Sequence, residues 1–440
     1  MGRKVFVSVL GTGFYGSCKY VKDDFVSSDT RFVQYATLEL IKAKEWKKED
    51  IVIILLTDGA RAANWREDLL IRKNHKTEKD EPYGGLQKLL KNMELPCEIY
   101  SPTIPDGKNE EEMWRIFETL FKELQDGDEL YFDLTHSFRY LPMLVLVLGN
   151  YAKFLKNVSI KYISYGNYEA RITETNEAPI IDLLSLSLLQ DWTFAAANYL
   201  QNGDVSFLST LCVNSLTPIL KDTEKRKKIP SASILKSYVQ ALQAITEDMK
   251  GCRGIDIISG KNIEVAARLS QQLSQVIISP MQPIVEKMKG SFGKFTPSED
   301  ILNGYRAAKW CYEHQLYQQS LTILHENIVS HVCEAKHLNY KDKNQRESVN
   351  KAFAILLYEM DENDWKVENE MERQLIKELL NMNLVKDLQS TFLITTTLRN
   401  DYNHAGMRDN PVKTQKFSNG LKERINKIYV MFLQNEAAIN

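Results

Sequence analysis

Arg399 and His404 lie five residues apart in the stretch TLRNDYNHAG, residues 397–406. An imidazole can give or take a proton near neutral pH, and a guanidinium can hold the charge of a crowded phosphorane. The pair suits metal-free cleavage of RNA by its own 2'-hydroxyl, which leaves a 2',3'-cyclic phosphate and spares DNA. Residues five apart on an ideal helix diverge by about 140°, so they converge only if the helix loosens or a second copy completes the site. Asn400, Asp401, Tyr402, Asn403 and Gly406 are poor helix formers and predict a terminating turn. The structural alternative is an Arg399 that pairs with a carboxylate and a His404 that caps the helix end.

A second group sits in DLTHSFRYLP, residues 133–142. Thr135 and Ser137 can cap a helix beginning near Phe138, and Arg139 places a cation in its first turn; hydroxyls, free amides and guanidinium together make an anion site. A plain capped helix, with Arg139 paired to Asp133 or Asp128, is the competing reading. His136 can stack on a base or serve as a satisfied loop residue. Upstream, Gly11, Gly13 and Gly16 of GTGFYGS match G-x-G-x-x-G, whose glycines admit phosphate close to backbone amides. Two features count against a dinucleotide fold: SCKYVKDDFVSSD after Gly16 is polar and irregular rather than helical, and Asp58 lies far beyond the roughly 20 residues expected to a ribose-binding acid. A glycine turn without ligand remains open.

These residues need a scaffold. Five apolar runs, VFVSVL (5–10), IVIILLT (51–57), CEIYS (97–101), ELYFDLT (129–135) and VSIKYISYG (158–166), alternate with amphipathic stretches near 31–47, 109–125 and 138–156. The pattern predicts an α/β domain with a doubly wound parallel sheet over 1–183. In such sheets ligands bind beyond the carboxyl ends of the strands. Four polar loops follow the runs there: GTGFYGS, DGARAANW (58–65) with Asn64, HSFRY (136–140) and Asn167.

From about 185 the strand signal stops and apolar residues recur at three- and four-residue spacing, which predicts an all-α half. Glycines and prolines between 251 and 297 interrupt it, and KGSFGKF reads as a linker. We expect a helical linker region over 184–300 and a compact helical bundle over 301–440, without long internal repeats. The charge run DTEKRKKIP (222–230) reads as a solvated helix end, with an RNA-backbone groove as the alternative.

The 440 residues carry a formal net charge of -2, which gives no global sign of nucleic-acid binding and leaves any RNA contact to a local basic site. Six scattered cysteines form no CxxC pair, so neither a disulfide framework nor a metal site is expected. No long apolar span or signal-peptide core is expected, and the chain reads as cytoplasmic.

The order of these motifs resembles the CRISPR-associated CARF and HEPN ribonucleases, ancillary effectors of type III CRISPR systems. LGTGFYG, LLTDGARAANW and DLTHSFRYLP are similar to ligand loops of an N-terminal, Rossmann-like CARF domain. RNDYNH is similar to the R-N-x-x-x-H motif of a C-terminal HEPN bundle, and YEHQLYQQSLTILHENIV to an earlier helix of that bundle. The resemblance implies a ribonuclease switched on by a cyclic oligoadenylate. Arg399 would stabilise the scissile phosphate, His404 would move a proton or orient the 2'-hydroxyl, and Asn400 would support them. Gly11, Thr12, Gly13, Asn64, Thr135, His136, Ser137 and Arg139 would contact the messenger, with Ala60 and Trp65 as weaker candidates. Cyclic tetra-adenylate is the preferred activator, with the hexa-adenylate open, and cleavage of the activator in the same pocket is also open. An even ring with identical nucleotides suits a homodimer or a higher even oligomer, and a twofold axis would join two Arg399/His404 sets. No cofactor is expected. A nucleotide-sensing regulator whose helical half binds DNA or protein is the main alternative, and a dinucleotide-dependent oxidoreductase a further one.

Overall fold

The computed structural model describes residues 2–73, 78, 80–136, 140–273, 279–407 and 409–433. The chain divides into two compact units, Met1–Leu188 and Leu189–Asn440.

In the first unit the strands are β1 (Lys4–Leu10), β2 (Lys19–Lys22), β3 (Phe25–Val26), β4 (Ile51–Leu56), β5 (Leu69–Lys73), β6 (Asp80–Gly84), β7 (Glu98–Tyr100), β8 (Glu129–Asp133), β9 (Ser159–Gly166) and β10 (Glu177–Asp182). Its helices are α1 (Val33–Leu40), α2 (Asp58–Asn64), α3 (Leu86–Asn92), α4 (Glu110–Glu123) and α5 (Leu141–Lys156). Eight strands form one sheet in the order β3-β2-β10-β9-β8-β1-β4-β7. Its β7-β4-β1-β8-β9 portion is parallel throughout. In chain order those five strands read 3-2-1-4-5, the doubly wound arrangement with a switch point between β1 and β8.

Alternation along the central strands explains why both faces are covered. Val5, Val7 and Val9 of β1 and Ile51, Ile53 and Leu55 of β4 pack with Ile116 and Leu120 of α4 and Leu148 of α5. Phe6, Leu10, Val52, Ile54 and Leu56 pack on the opposite face with Leu38, Leu86 and Leu90. Successive side chains of a strand point to opposite faces, so each run must be apolar at every position to seal both layers. Ser8 breaks the pattern of β1 while staying buried, and it does so at the switch point.

The segment after Gly16, expected to be irregular, forms the β2–β3 hairpin, and β2 joins the sheet beside β10. A separate two-stranded hairpin, β5–β6, was also not anticipated.

The second unit is helical: α6 (Leu184–Asn202), α7 (Ser206–Lys221), α8 (Thr223–Lys228), α9 (Ser231–Lys250), α10 (Gly254–Ser259), α11 (Lys261–Leu273), α12 (Gln282–Gly290), α13 (Leu302–Glu313), α14 (Tyr317–Ala335), α15 (Lys343–Tyr358), α16 (Glu370–Asn381), α17 (Asn383–Asn403) and α18 (Thr414–Phe432). One apolar core runs from Trp192 to Leu433. The division placed near residue 300 falls inside it, where Phe292 stacks on Trp310 at 5.6 Å. The charge run at 222–230 is a short helix capped by Asp222, with its residues after the cap exposed to solvent. Among the described residues no helix is long and apolar enough to cross a membrane.

Candidate ligand site and candidate nuclease centre

The β1–β8 switch point is built around a buried carboxylate. Asp133, the last residue of β8, accepts from Ser8 Oγ at 2.7 Å and from Thr135 Oγ1 at 2.6 Å. Burial raises its pKa, and the two hydroxyl donors partly oppose that rise. Thr135 Oγ1 also accepts from the Gly166 amide at 2.8 Å, which ties the ends of β8 and β9 together. The cap expected of Thr135 is therefore not made: its hydroxyl is committed to Asp133 and Gly166. α5 begins at Leu141, with no side-chain cap at Tyr140. Ser137 and Arg139 lie outside the described residues, as does Phe138. The alternative pairing of Asp128 is taken by Arg3, at 2.9 Å.

The glycine loop after β1 is held from behind. Asn64, the last residue of α2 and fully buried, donates from Nδ2 to the carbonyls of Gly11 at 2.7 Å and Gly13 at 2.9 Å. Arg72 of β5 donates to Asn64 Oδ1 at 2.8 Å and to the Thr12 carbonyl at 3.3 Å. Three successive peptide oxygens thus point to one side, and the peptides are trans. In a planar trans peptide the N–H points opposite its carbonyl, so the amides of Thr12, Gly13 and Phe14 face away from the clamp. Such a row of amides forms a concavity for an anion. Asn64 therefore acts behind the loop, as a positioning residue. Ala60 and Trp65 are buried in the core layer below it.

Beside this loop lies a cavity of about 420 Å³ lined by Phe14, Tyr15, Tyr20, Thr135, His136 and Tyr168. Tyr15 and His136 stack at 3.8 Å with their planes 22° apart. His136 Nε2 is buried without a hydrogen-bond partner, and burial drives the ring pKa down to about 3. The ring is neutral at physiological pH, so it offers a flat face and one lone pair or N–H rather than a charge. A Cβ on Gly11 would lie 3.2 Å from the His136 carbonyl oxygen and 2.6 Å from the Tyr15 hydroxyl, which shows how closely the two loops meet. Arg31 and Arg72 flank Tyr83, 5.0 and 4.7 Å from its ring centre, and Tyr83 accepts from the Tyr15 amide at 3.3 Å. Neither arginine belongs to the loops that follow the parallel strands. The sequence reading assigned no element to the stretch that carries Arg72.

Residues 5–172 match the family model for the CARF domain of the CRISPR system endoribonuclease Csx1. The first unit is thus CARF-like. The CRISPR-associated protein MJ1674 of Methanocaldococcus jannaschii is 24% identical over 245 residues, which is 54% of this chain. The chain spans about a third of that curated relative, 35% of its length. Among solved structures, Enterococcus italicus Csm6 bound to cyclic hexa-2'-fluoro-hexa-dAMP aligns over 100% of this chain and 96% of its own, with 11% identity and a TM-score of 0.46. The family-model match and the curated relative support a CARF-containing CRISPR-associated protein. Of the residues singled out beforehand in the CARF-like unit, Thr135 and His136 line the cavity, while Gly11, Thr12 and Gly13 form the loop whose carbonyls Asn64 and Arg72 hold.

In the second unit Arg399 points from α17 toward α14. Its Nη1 donates to His325 Nδ1 at 2.9 Å and to Glu326 Oε1 at 3.2 Å. Arg346 donates to the other Glu326 oxygen at 2.7 Å, so one carboxylate bridges two guanidiniums. The His325 ring, then Arg346, holds Glu326 down at about 2. Arginine only donates, so Nδ1 accepts from Arg399 when the ring carries its proton on Nε2. When the ring is doubly protonated, Nδ1 turns donor and faces Glu326 Oε1 at 3.3 Å instead. Behind it, His325 rests on Phe392 at 4.6 Å, and Phe392 stacks on Phe353 at 4.1 Å. Such aromatic pairs contribute about 0.5–1.5 kcal/mol beyond burial and fix the ring.

α17 stays helical through Asn403, and His404 caps it through its amide, which donates to the Asn400 carbonyl at 3.0 Å. Ala405 and Gly406 adopt left-handed backbone, and the Gly406 amide closes the turn on Asp401 at 2.9 Å. His404 and Asn400 are exposed. Among the described residues the His404 ring makes no hydrogen bond, and the contacts of Arg399 run to α14 rather than to His404. The sequence reading missed His325, Glu326 and Arg346. The HEN triplet in α14 was visible, but nothing in one chain's periodicity shows which face of α14 meets α17.

Proposed function

We propose that this chain is an endoribonuclease of CRISPR antiviral defence, switched on by a cyclic oligoadenylate, cleaving single-stranded RNA without a metal ion to 2',3'-cyclic phosphate products. The observation that carries this is Arg399: a cation at the surface end of α17, held by His325 and Glu326, with a solvent-facing imidazole at the cap of the same helix. Arg399 would hold the scissile phosphate, His404 would move the proton, and Asn400 would support the pair. Since α17 is not loosened between Arg399 and Asn403, two copies of the chain are the natural way to gather the groups.

In the CARF-like unit, Gly11, Thr12, Gly13, Thr135, His136, Ser137 and Arg139 would receive the messenger, cyclic tetra-adenylate by preference, with Asn64 holding the loop. Ligand activates only by binding the cleavage-competent state more tightly than the resting one, so basal activity should be weak. A regulator without nuclease activity is the second reading, favoured by the ion pair that already occupies Arg399.

The deciding experiment follows a fluorescent single-stranded RNA with and without cyclic tetra-adenylate, in EDTA, for wild type and His404→Ala. Strong activation of wild type and loss in the variant support the ribonuclease. A fully active His404→Ala protein would remove this centre, and inactivity of wild type with every ring size would favour the regulator.

A further inference from the structure

His325 lies outside the stretch that carries Arg399 and His404, yet it touches the guanidinium assigned to the phosphate. Arg399 Nη1 carries two hydrogens, and α14 takes both, through His325 Nδ1 at 2.9 Å and Glu326 Oε1 at 3.2 Å. Nε is buried without a partner. Among the described residues no hydrogen bond engages Nη2, so it is the terminal nitrogen left for an anion. Which way the guanidinium is turned therefore decides whether Arg399 can serve a phosphate.

The His325 ring has two possible partners, and the distances choose between them. A proton on Nδ1 would set two donors face to face at 2.9 Å, so this nitrogen offers its lone pair and the neutral ring keeps its proton on Nε2. The ring is buried against Phe392, which stacks on Phe353 of α15. Glu326 is fixed separately, by Arg346 of α15 at 2.7 Å. Two anchors held in this way set the plane of the guanidinium, whereas one would let it turn about the remaining contact. The charges that face the ring are Glu326 on its own helix and Arg399 from α17, and Arg346 reaches it only through Glu326. Among the described residues no charged group of α10, α13 or α18, the other helices packed on α14, bonds to it.

We propose that His325 is a positioning residue of the cleavage centre: its neutral imidazole accepts from Arg399 and turns the free Nη2 edge of the guanidinium toward the scissile phosphate. Protonation converts Nδ1 to a donor, directs it to Glu326 Oε1 at 3.3 Å and withdraws one of the two anchors. This role rests on Arg399 belonging to the cleavage centre.

The test follows cleavage of single-stranded RNA by the full chain with cyclic tetra-adenylate, against pH. His325→Phe keeps a ring on Phe392 and removes the acceptor, whereas His325→Asn places a carbonyl oxygen near the Nδ1 position and does not titrate. The first should lower kcat by about 10- to 100-fold, the scale of one hydrogen bond to a charged group, with KM within roughly threefold. The second should restore most of that loss, and its rate should fall less steeply than wild type toward acid. Circular dichroism confirms folding of both. A His325→Phe rate within about threefold of wild type, a His325→Asn rate no better than His325→Phe, or identical acid limbs in His325→Asn and wild type overturns the positioning role. Loss of cleavage in Arg399→Lys alone then leaves the Arg399 centre standing, while full activity in Arg399→Lys rejects that centre and this role with it. If wild type cleaves no RNA, the function above fails, and fluorescence anisotropy with 2'-O-methyl RNA decides the role of His325. Binding weakened about tenfold by His325→Phe and restored by His325→Asn supports it, and equal binding rejects it.

Discussion

Arg399 and His404 answer to different constraints although they share a helix. Arg399 serves His325 and Glu326 from a single nitrogen, Nη1, and a lysine ammonium, a compact point charge without the planar guanidinium, does not offer a phosphate the same geometry. Arg399→Lys should therefore lower activated RNA cleavage by about 10²–10³-fold, the scale of losing an oriented donor to a developing charge, while the melting temperature moves little. Cleavage within threefold of wild type would contradict that role. Acid stability offers a separate check. Glu326 is depressed to about 2 in the folded chain from an ordinary value of 4.5. The stability it contributes is complete above the ordinary value and disappears as pH falls through the folded one. His136 acts in the same direction from higher pH, since its folded pKa of about 3 lies below the ordinary 6.5. Melting temperatures from pH 7 to 3 should thus fall less steeply for His136→Phe between pH 6.5 and 4, and less steeply for Glu326→Gln below about 4.5. Parallel curves for both variants would rule out these linkages.

At the scale of elements, the glycine loop depends on a side chain from the next helix. Asn64→Ala would strand two carbonyls and release Arg72, at a cost of about 1–3 kcal/mol. For a unit of this size that corresponds to about 2–4 °C per kcal/mol of melting temperature. Affinity for cyclic tetra-adenylate should fall with it, as the Thr12, Gly13 and Phe14 amides lose their common direction; unchanged affinity in a destabilised variant would show that the amides do not hold the ligand. The loop itself was legible because GTGFYGS follows an apolar run interrupted only by Ser8, and strands covered on both faces leave that signature. Asn64 was legible only as a neighbour of the crevice, since a sequence does not show whether an amide faces the ligand or the backbone behind it. β2, β5, β6 and β10 were hidden for a related reason. They are short and partly exposed, and β5 and β6 pair only with each other, so no long period marks them. His325 and Glu326 escaped notice because their role depends on which helix packs against α14, a fact of tertiary structure.

At the scale of the whole molecule, the surface of α5 remains to be accounted for. Met143, Val147, Tyr151, Phe154 and Leu155 recur at helical spacing and all stand exposed, Phe154 at 84%. Trp114 of α4 extends the stripe, and an apolar cavity of about 190 Å³ lies between the two helices. Scattered surface apolar residues are ordinary, but a contiguous stripe on one helix marks an interaction face. A face that meets its own copy across a twofold axis must be self-complementary, and an apolar stripe without charges satisfies that requirement simply. Tyr151 is fixed from below by Phe117 and Phe121, at 5.5 and 5.1 Å, so the stripe is presented rigidly. If two copies supply the nuclease centre, dimerisation and cleavage must fail together. Phe154→Glu combined with Val147→Asp places two carboxylates on each side of the axis and, with little else to disturb at exposed positions, should leave the fold intact. Sedimentation velocity is expected to show a monomer, and activated cleavage should drop by at least the factor seen for His404→Ala. A monomeric variant that still cleaves RNA at the wild-type rate would mean that one chain completes the centre alone, and an unchanged dimer would place the twofold contact on another face.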